Sequence, residues 1–328
     1  MEIIMVSVIC KTFNHERYIR KCLDSLVRQK TKFNYEIIVH DDASSDGTAD
    51  IIKEFEKRFP DKIVAIYQKE NQHSQKINST KKFIFPICRG KYIAICEGDD
   101  FWVDDNKLQK QVDFLESHDD YVLCGHSAYY ANEDSSLVQN EFFNYGNGSR
   151  TLSTEEIISG WVMSTNSLVF RFSALKEYPV PYKGKARNGD YALMTYLALQ
   201  GKVYFIDELM SAYRRTSIGS VNWIWRYNLE LQIKDYTEFI NLLSRLNEYT
   251  NGKYEASILK IKQKFQFDIL VTEGKWKQAK EMKQFYSKLT FSKKFSLFFH
   301  SMFPKLFIGL RNTRNRIQMS KNRGSKNE

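Results

Sequence analysis

No Cys-x-x-Cys pair occurs in this chain, and its five cysteines, Cys10, Cys22, Cys88, Cys96 and Cys124, are odd in number. That argues against a disulfide framework. Three of them fall in apolar strand-like runs, where free thiols pack as small hydrophobes, and a reducing cytosol fits this usage. The sequons Asn78-Ser79-Thr80 and Asn147-Gly148-Ser149 then carry no glycosylation meaning. A basic-then-apolar leader is missing as well: Met1 to Cys10 reads as a first strand, which argues against secretion. The chain also lacks the uninterrupted apolar run of about 20 residues that a spanning helix needs. It has no Gly-x-x-x-x-Gly-Lys-Ser/Thr loop, no zinc-finger spacing and no internal repeat.

What is present suffices for a folded protein: 42% hydrophobic and 14% aromatic residues over 328 positions can bury one sizeable core and a smaller appendage. Charge divides the chain in a similar way. From Lys253 to Glu328 there are 18 Lys and Arg against 5 Asp and Glu, a net +13, whereas the preceding residues carry 31 against 34, a net −3. A nearly neutral domain, 1–222, is expected to precede a basic, mainly helical region, 223–328. The partner of that region would be an anionic surface, either membrane lipid or nucleic acid.

The first hundred residues alternate in the manner of a parallel sheet covered by helices. Strands are expected over Met5–Cys10, Tyr35–Val39, Ile63–Tyr67 and Tyr92–Cys96, with helices over Glu16–Gln29, Asp50–Phe59 and Asn78–Cys88. Further on, the pattern gives a helix over Lys107–Leu115, a strand over Tyr121–Tyr130 and a polar loop with strand fragments over 135–152. A short helix opened by Ser153-Thr154-Glu155-Glu156 follows, then a strand over Ser167–Phe170, a helix over Tyr191–Leu199 closed by Gly201, and a strand over Val203–Ile206. Sheets of this kind bind ligands at the carboxyl ends of their strands.

Acidic residues gather in that setting. Cys96-Glu97-Gly98-Asp99-Asp100-Phe101-Trp102 places three carboxylates just beyond a strand, a crowding that is costly without a cation. A divalent metal carrying a phosphorylated ligand is the natural one; the plainer reading is a solvated acidic turn. Asp41 and Asp42 stand at the end of the second strand and Asp190 at the mouth of a helix. Ser45, Asp46 and Thr48 read as a local turn and cap. Asp42, pointing up from its strand end, is available to a base or ribose, and a helix cap is the plainer role of Asp190.

Four stretches together resemble the family 2 glycosyltransferases of the GT-A fold, in order and spacing over residues 5–220. They are Val6-Ser7-Val8-Ile9-Cys10-Lys11-Thr12-Phe13-Asn14-His15-Glu16, Asp41-Asp42-Ala43-Ser44-Ser45-Asp46-Gly47-Thr48, Gly90 to Trp102, and Asn188-Gly189-Asp190. The resemblance implies an α/β fold with a Rossmann-like, mostly parallel sheet flanked by helices and a C-terminal helical extension. It further implies that Thr12, Phe13 and Asn14 line the nucleotide pocket, Phe13 stacking on the base, with Glu16 supporting the loop and Asp42 bonding the base. Asp99 and Asp100 would hold the ribose and the Mg²⁺ or Mn²⁺ that bridges the donor diphosphate. Glu97, in place of the usual first Asp, would either touch that metal or support a residue that does. Asp190 would be the base that deprotonates the acceptor hydroxyl in an inverting transfer. Tyr213-Arg214-Arg215-Thr216 resembles a mobile Tyr-Arg-x-His segment near the diphosphate, so Arg214 or Arg215 would neutralise the leaving group. Thr216 stands where the family has His, and Glu70-Asn71-Gln72-His73-Ser74 lacks the glycine of the usual donor loop, for which Lys76 or Asn78 would substitute. Trp102 and Trp161 are candidate acceptor-sugar platforms or packed aromatics.

The function expected from the resemblance is transfer from a nucleotide-sugar, a UDP-sugar being favoured, to a glycan or lipid-linked acceptor in surface polysaccharide synthesis. Between Phe291 and Leu310, apolar residues interleave with Lys293, Lys294, His300 and Lys305 and are followed by Arg311, Arg314, Arg316, Lys321 and Arg323. That pattern fits an interfacial amphipathic helix on the cytoplasmic face of a membrane, or a helix packed on the main domain. A nucleotidyltransferase, the rival enzyme, would carry a glycine-rich, Arg/Lys-bearing loop where Lys11-Thr12-Phe13-Asn14 stands. A nucleic-acid-binding protein, the rival outside enzymes, rests on the basic tail alone.

Overall fold

The computed structural model describes residues 3–143, 148–175, 189–214, 225, 228–310 and 313. The chain forms two compact units, one made of Met1–Pro179 with Gly189–Arg215, the other of Val180–Asn188 with Thr216–Glu328.

In the first unit, strands β1 (Ile4–Thr12), β2 (Asn34–Asp41), β3 (Ile63–Tyr67) and β4 (Tyr92–Ile95) pair in parallel in the order β3-β2-β1-β4. β9 (Val169–Arg171) runs antiparallel beside β4 and is followed by the parallel neighbours β6 (Tyr121–Ala131) and β10 (Lys202–Arg214). Six of these seven strands therefore point the same way. Short β5 (Phe101–Trp102), β7 (Leu137–Phe143) and β8 (Arg150–Leu152) add antiparallel pairs around β6 and β10.

Helices α1 (Ile19–Val27), α2 (Thr48–Arg58) and α3 (Lys107–Ser117) follow their strands as the periodicity predicts. Ile19, Cys22, Leu23 and Leu26 of α1 recur at helical spacing and pack with Val6, Val8, Cys10, Ile37, Val39, Ile52 and Phe55 in one fully buried cluster. Each such side chain stabilises the fold by roughly 1.5–3 kcal/mol. The α1 helix starts three residues later than its apolar pattern suggests, because Tyr18 N and Ile19 N both donate to His15 O at 2.8 Å and close a turn first. Ser153 opens α4 (Thr154–Ile158) with a complete capping box to Glu156.

Two differences from the sequence expectation bear on the site. Asn78–Cys88 is no regular helix but a π turn, Thr80–Ile84, followed by a 3-10 turn, Phe85–Ile87, where Pro86 cannot donate to a helical ladder. And β10 does not end at Ile206. A bulge at Asp207-Glu208 resets the register, after which Leu209 to Arg214 pairs with Ser127 to Ala131, so Tyr213 and Arg214 are strand residues. Arg215 and Thr216 lie outside the described residues.

The second unit is helical: α6 (Leu229–Tyr249), α7 (Glu255–Thr272), α8 (Trp276–Glu281), α9 (Lys283–Tyr286) and α10 (Phe291–Met302). The α6–α7 turn uses Asn251 and Gly252 with φ of 49° and 76°, the left-handed conformation that these residue types adopt most readily. Phe239 and Phe265 meet across the pair with centroids 4.6 Å apart. No helix among the described residues is long and apolar enough to cross a membrane.

Candidate active site

Because β1, β2 and β4 are parallel neighbours, the loops at their carboxyl ends share one edge of the sheet. The first two loops are zipped together. Asn14, at φ 55°, accepts from Ser45 N at 2.8 Å, and its own N donates to Ser44 Oγ at 2.9 Å. His15 N donates to Thr48 Oγ1 at 2.8 Å and Glu16 N to Asp46 at 3.2 Å. Glu16 also packs so closely on Gly47 that a Cβ there would lie 2.6 Å from its Oε1. Asn14 and Glu16 thus hold loop to loop. Phe13 stands 43% exposed, an aromatic face open to a flat ligand.

Asp42 is buried, and its two carboxylate oxygens accept from Gln72 N at 2.7 Å and His73 N at 3.1 Å. Asn71 Nδ2 donates to Asp42 O at 3.1 Å, so the 70–74 loop folds around this one residue.

The acidic turn sits beside these loops. Cys96 N donates to Ile9 O at 3.0 Å, Gly98 N to Lys11 O at 2.9 Å and Asp100 N to Glu97 O at 2.9 Å, pressing the turn against β1. A Cβ on Gly98 would lie 2.8 Å from Thr12 Cβ and Oγ1 and 3.0 Å from His15 Nδ1, so only glycine fits. Those two polar atoms, Thr12 Oγ1 and His15 Nδ1, are buried and have no hydrogen-bond partner among the described residues. Glu97 pairs with Lys11 Nζ at 3.3 Å, both partly exposed. Asp99 is half-buried.

Asp100 turns inward. Only 2% exposed, it accepts from Arg214 N at 2.8 Å and from Asn166 Nδ2 at 3.0 Å. Burial, then the Asp99 charge, pushes its carboxyl well above the usual carboxylate range. Arg214 is buried too. Its guanidinium bonds Asp99 O at 2.8 Å, Glu133 O at 3.1 Å, Ser135 Oγ at 2.9 Å and the carbonyl of Asn132, and it lies over the Tyr18 ring at 4.3 Å. It is a tie between the acidic turn, the β6–β7 turn and the start of α1.

Asp190 enters from the first turn of α5 (Gly189–Gln200). Its Oδ1 accepts from Tyr191 N at 2.8 Å, and the Trp161 indole bonds its carboxylate. Burial raises its affinity for a proton, and the charge of Glu97 adds to that. Tyr213 records the same gathering of charge: burial and then Asp100, Glu97, Asp99 and Asp190 all hold its hydroxyl protonated. Residues far apart in sequence therefore lie within electrostatic range of one phenol. Trp102, by contrast, is 1% exposed with its indole donating to Asn166 O at 3.0 Å, which makes it a packed aromatic and no sugar platform. Asn166 has no mark in the sequence that sets it apart; its partners are brought to it by the fold alone.

Among the described residues no three His, Cys, Asp or Glu side chains form a ready cage for a metal. The donor set still suits Mg²⁺ or Mn²⁺, which are held by one or two carboxylates with substrate phosphates completing the shell. Asp99 and Glu97 supply hard oxygens, and the neighbouring carboxylate charges that, after burial, raise the proton affinity of Asp100, Asp190 and Tyr213 are what a cation would relieve.

Comparison with known proteins gives this edge a context. The family model described as glycosyl transferase family 2 matches residues 7–179. An uncharacterised protein of Mycobacterium tuberculosis is 32% identical over 214 residues, 65% of this chain and 60% of its own, so the chain spans about three fifths of that relative. An Escherichia coli protein named UDP-Glc:alpha-D-GlcNAc-diphosphoundecaprenol beta-1,3-glucosyltransferase is 27% identical over 66% of this chain and 80% of its own. Among solved structures, residues 1–349 of Staphylococcus aureus TarS in complex with UDP-GlcNAc align with a TM-score of 0.54 and 18% identity over 84% of this chain and 81% of that one. A mannosyltransferase of Pyrobaculum calidifontis in complex with GDP-Man and Mn²⁺ aligns at 0.53 and 12% over 94% and 86%. At these identities the likeness to the solved structures is one of fold, the GT-A arrangement.

Proposed function

This chain belongs to glycosyl transferase family 2, and from that premise we propose that it moves a sugar from a nucleotide-sugar, a UDP-sugar by preference, to a hydroxyl of a glycan or lipid-linked saccharide in surface polysaccharide assembly. The transfer inverts the anomeric centre and uses Mg²⁺ or Mn²⁺. The observation that carries this reading is the acidic turn, residues 97–100, pressed against β1 at the strand edge where such sheets take ligands, with Glu97, Asp99, Asp100 and Asp190 all within electrostatic range of Tyr213.

In this mechanism Phe13 stacks on the base, and Thr12, whose buried hydroxyl lacks a partner, donates to the nucleotide. Asn14, Glu16 and Asp42 keep the pocket walls in register through the loop contacts described above. Asp99, with Glu97 beside it, holds the divalent cation, and Asp100 and Arg214 fix the turn from within. When bound, that cation neutralises the diphosphate as it departs. Asp190 takes the acceptor's proton as its oxygen attacks; burial and the Glu97 charge make it a stronger base than an ordinary aspartate. The UDP-Glc-dependent Escherichia coli relative and the UDP-GlcNAc-bound TarS support a UDP-sugar, and Mn²⁺ beside GDP-Man in the Pyrobaculum enzyme supports the metal. Family membership sets aside the nucleotidyltransferase reading, while the basic region lies beyond the matched residues 7–179.

The test is a donor screen with Mn²⁺ and single nucleotide-sugars, reading free nucleoside diphosphate. The active donor is then offered to Asp190→Asn. The expected result is a folded variant slowed by ~10²-fold or more; near-normal turnover would return Asp190 to the role of a helix-start residue.

The second unit supports a cytoplasmic enzyme lying on the inner face of a membrane. Phe291, Phe295, Phe298 and Met302, spaced to fall on one face of α10, are all exposed, and Phe303, Leu306, Ile308 and Leu310 continue the apolar surface beside exposed Lys293 and Lys305. Anionic lipid is the partner this composition fits. Co-flotation with phosphatidylglycerol vesicles, lost in Phe295→Ser/Phe298→Ser and in 0.5 M salt, is expected; equal recovery with neutral vesicles would overturn the electrostatic part.

A further inference from the structure

One wholly buried amide underlies the acidic turn. Asn166 lies in the 3-10 turn Thr165–Ser167, just ahead of β9, and is 0% exposed. Its Nδ2 donates to Asp100 Oδ2 and to Ala212 O, both at 3.0 Å. Its Oδ1 accepts from Ser164 Oγ at 2.7 Å and Ser211 Oγ at 2.8 Å, and its backbone oxygen takes the Trp102 indole at 3.0 Å. The amide's two donors and two acceptor sites are all engaged, and the orientation is fixed because Ala212 O can only accept.

The consequence runs outward. Asp100 is clasped between Asn166 on one oxygen and Arg214 N on the other. Asp100 N closes the turn onto Glu97 O, and Arg214 Nε holds Asp99 O at 2.8 Å. The partly exposed residues of the turn, Glu97 and Asp99, therefore stand on buried Asp100, and the side-chain support under Asp100 is Asn166. We propose that Asn166 is a positioning residue of the donor site: through Asp100 it sets where the Glu97–Asp99 turn presents its carboxylates to a cation-bound nucleoside diphosphate. What the turn binds rests on the function proposed above; that Asn166 sets its shape does not.

The isosteric change Asn166→Asp isolates the donor. It keeps the volume and the two serine bonds but removes both N–H donors of Nδ2, setting a carboxylate against Asp100 and against Ala212 O. Asn166→Ala removes the amide altogether, and Ser211→Ala removes one of its bonds without touching Asp100. Each variant is first confirmed as folded by circular dichroism, and Asn166→Asp decides the matter should Asn166→Ala not fold. Calorimetry with UDP plus Mn²⁺, and in parallel with uridine and no metal, is expected to show a loss of ~10–100-fold for UDP·Mn²⁺, as for other residues that orient metal ligands. Uridine binding should be unchanged, as should both ligands in Ser211→Ala. A loss shared equally by uridine would mark a general structural role and overturn the proposal, as would wild-type UDP·Mn²⁺ affinity in Asn166→Asp. A crystal structure of the variant gives a reading that needs no ligand: residues 97–100 displaced supports the proposal, and an unmoved turn overturns it. If the wild-type protein binds neither UDP nor GDP with Mn²⁺, the donor reading fails while the displacement of the turn still judges Asn166.

Discussion

Two acid-rich strand ends flank β1 in the same sheet, and they are built in different ways. At the end of β2, Asp41 accepts from the backbone and hydroxyl of Ser44, Asp42 from Gln72 N and His73 N, and Asp46 from Thr48 N at 3.1 Å and Glu16 N at 3.2 Å. Each carboxylate there meets donors that the chain itself supplies. At the end of β4, Asp100 is buried next to the Asp99 charge, and Glu97 adds to the field on Asp190. The first arrangement stabilises a loop. The second, although Asp100 accepts from Asn166 and Arg214 and Glu97 pairs with Lys11, crowds like charges around a buried carboxyl in a way that an added cation would relieve. Residue type and strand position are the same in both, so what separates architecture from chemistry is the crowding of like charges around a buried carboxyl at the β4 end.

The largest effect that sharpens this contrast is expected from one pair of substitutions. Asp99→Asn should leave the protein folded while UDP·Mn²⁺ affinity falls by more than the ~10–100-fold that loss of an outer partner costs. Asp42→Asn should do the reverse. It loses a charged acceptor for two backbone amides, which costs ~1–3 kcal/mol of stability, while turnover per folded molecule changes only a few-fold. Denaturant melts alongside calorimetry read both quantities, and a stability loss in Asp99→Asn with intact binding would erase the distinction.

Next in size is the seam between the two ends. In Gly98→Ala the new methyl meets Thr12 Cβ, which belongs to β1 and cannot swing away as a flexible side-chain tip would. Overpacking of this kind costs ~1–3 kcal/mol. The variant should melt lower and bind UDP more weakly even without metal, because Thr12 lies on the nucleotide side. An unchanged melting curve would mean that the turn is not pressed against β1.

How much of this could be read from the sequence depends on how local the signal is. The alternation of β1 to β4 with α1 and α2 follows from periodicities within each segment, and Glu97, Asp99 and Asp190 stand out as acidic residues at element ends. Arg214 stands out through its resemblance to a Tyr-Arg-x-His segment, but its setting does not: the segment suggests a mobile loop, and Arg214 belongs to a 13-residue strand whose second half pairs only after the Asp207-Glu208 bulge, a pairing set by β6 some 80 residues away. Asn78 to Cys88 shows helical spacing, yet Pro86 divides it into irregular turns. Asn166 sits between a threonine and a serine like any turn residue, and its meaning comes from Asp100 and Ala212, 66 and 46 positions away. Spacing along the chain reports which face a side chain takes; it cannot report which distant donor will meet it.

The smallest expected effect follows from the opposite pH signatures of the two ends. Asp100 has its folded proton affinity raised, chiefly by burial and then by Asp99, so the stability linked to it is fully present below the unfolded aspartate value of about 4 and is lost as pH rises through the folded one. At Asp46, burial pushes upward but is outweighed by the bonds from Thr48 and Glu16, so its folded value is lowered; its contribution is present above about 4 and is lost as pH falls through the folded value. Removing the like charge with Asp99→Asn should therefore raise the melting temperature most at pH 8, where Asp100 is under the greatest pressure to ionise, by about 2–4 °C if the relief is worth about 1 kcal/mol. The gain should vanish near pH 4. Asp46→Asn should lower the melting temperature at pH 8, with the deficit shrinking toward pH 3. Melting scans of the two variants from pH 3 to 8 thus run with opposite signs. Parallel curves would mean that burial and the neighbouring charge weigh no more on Asp100 than on Asp46, and the contrast between the two strand ends would be lost.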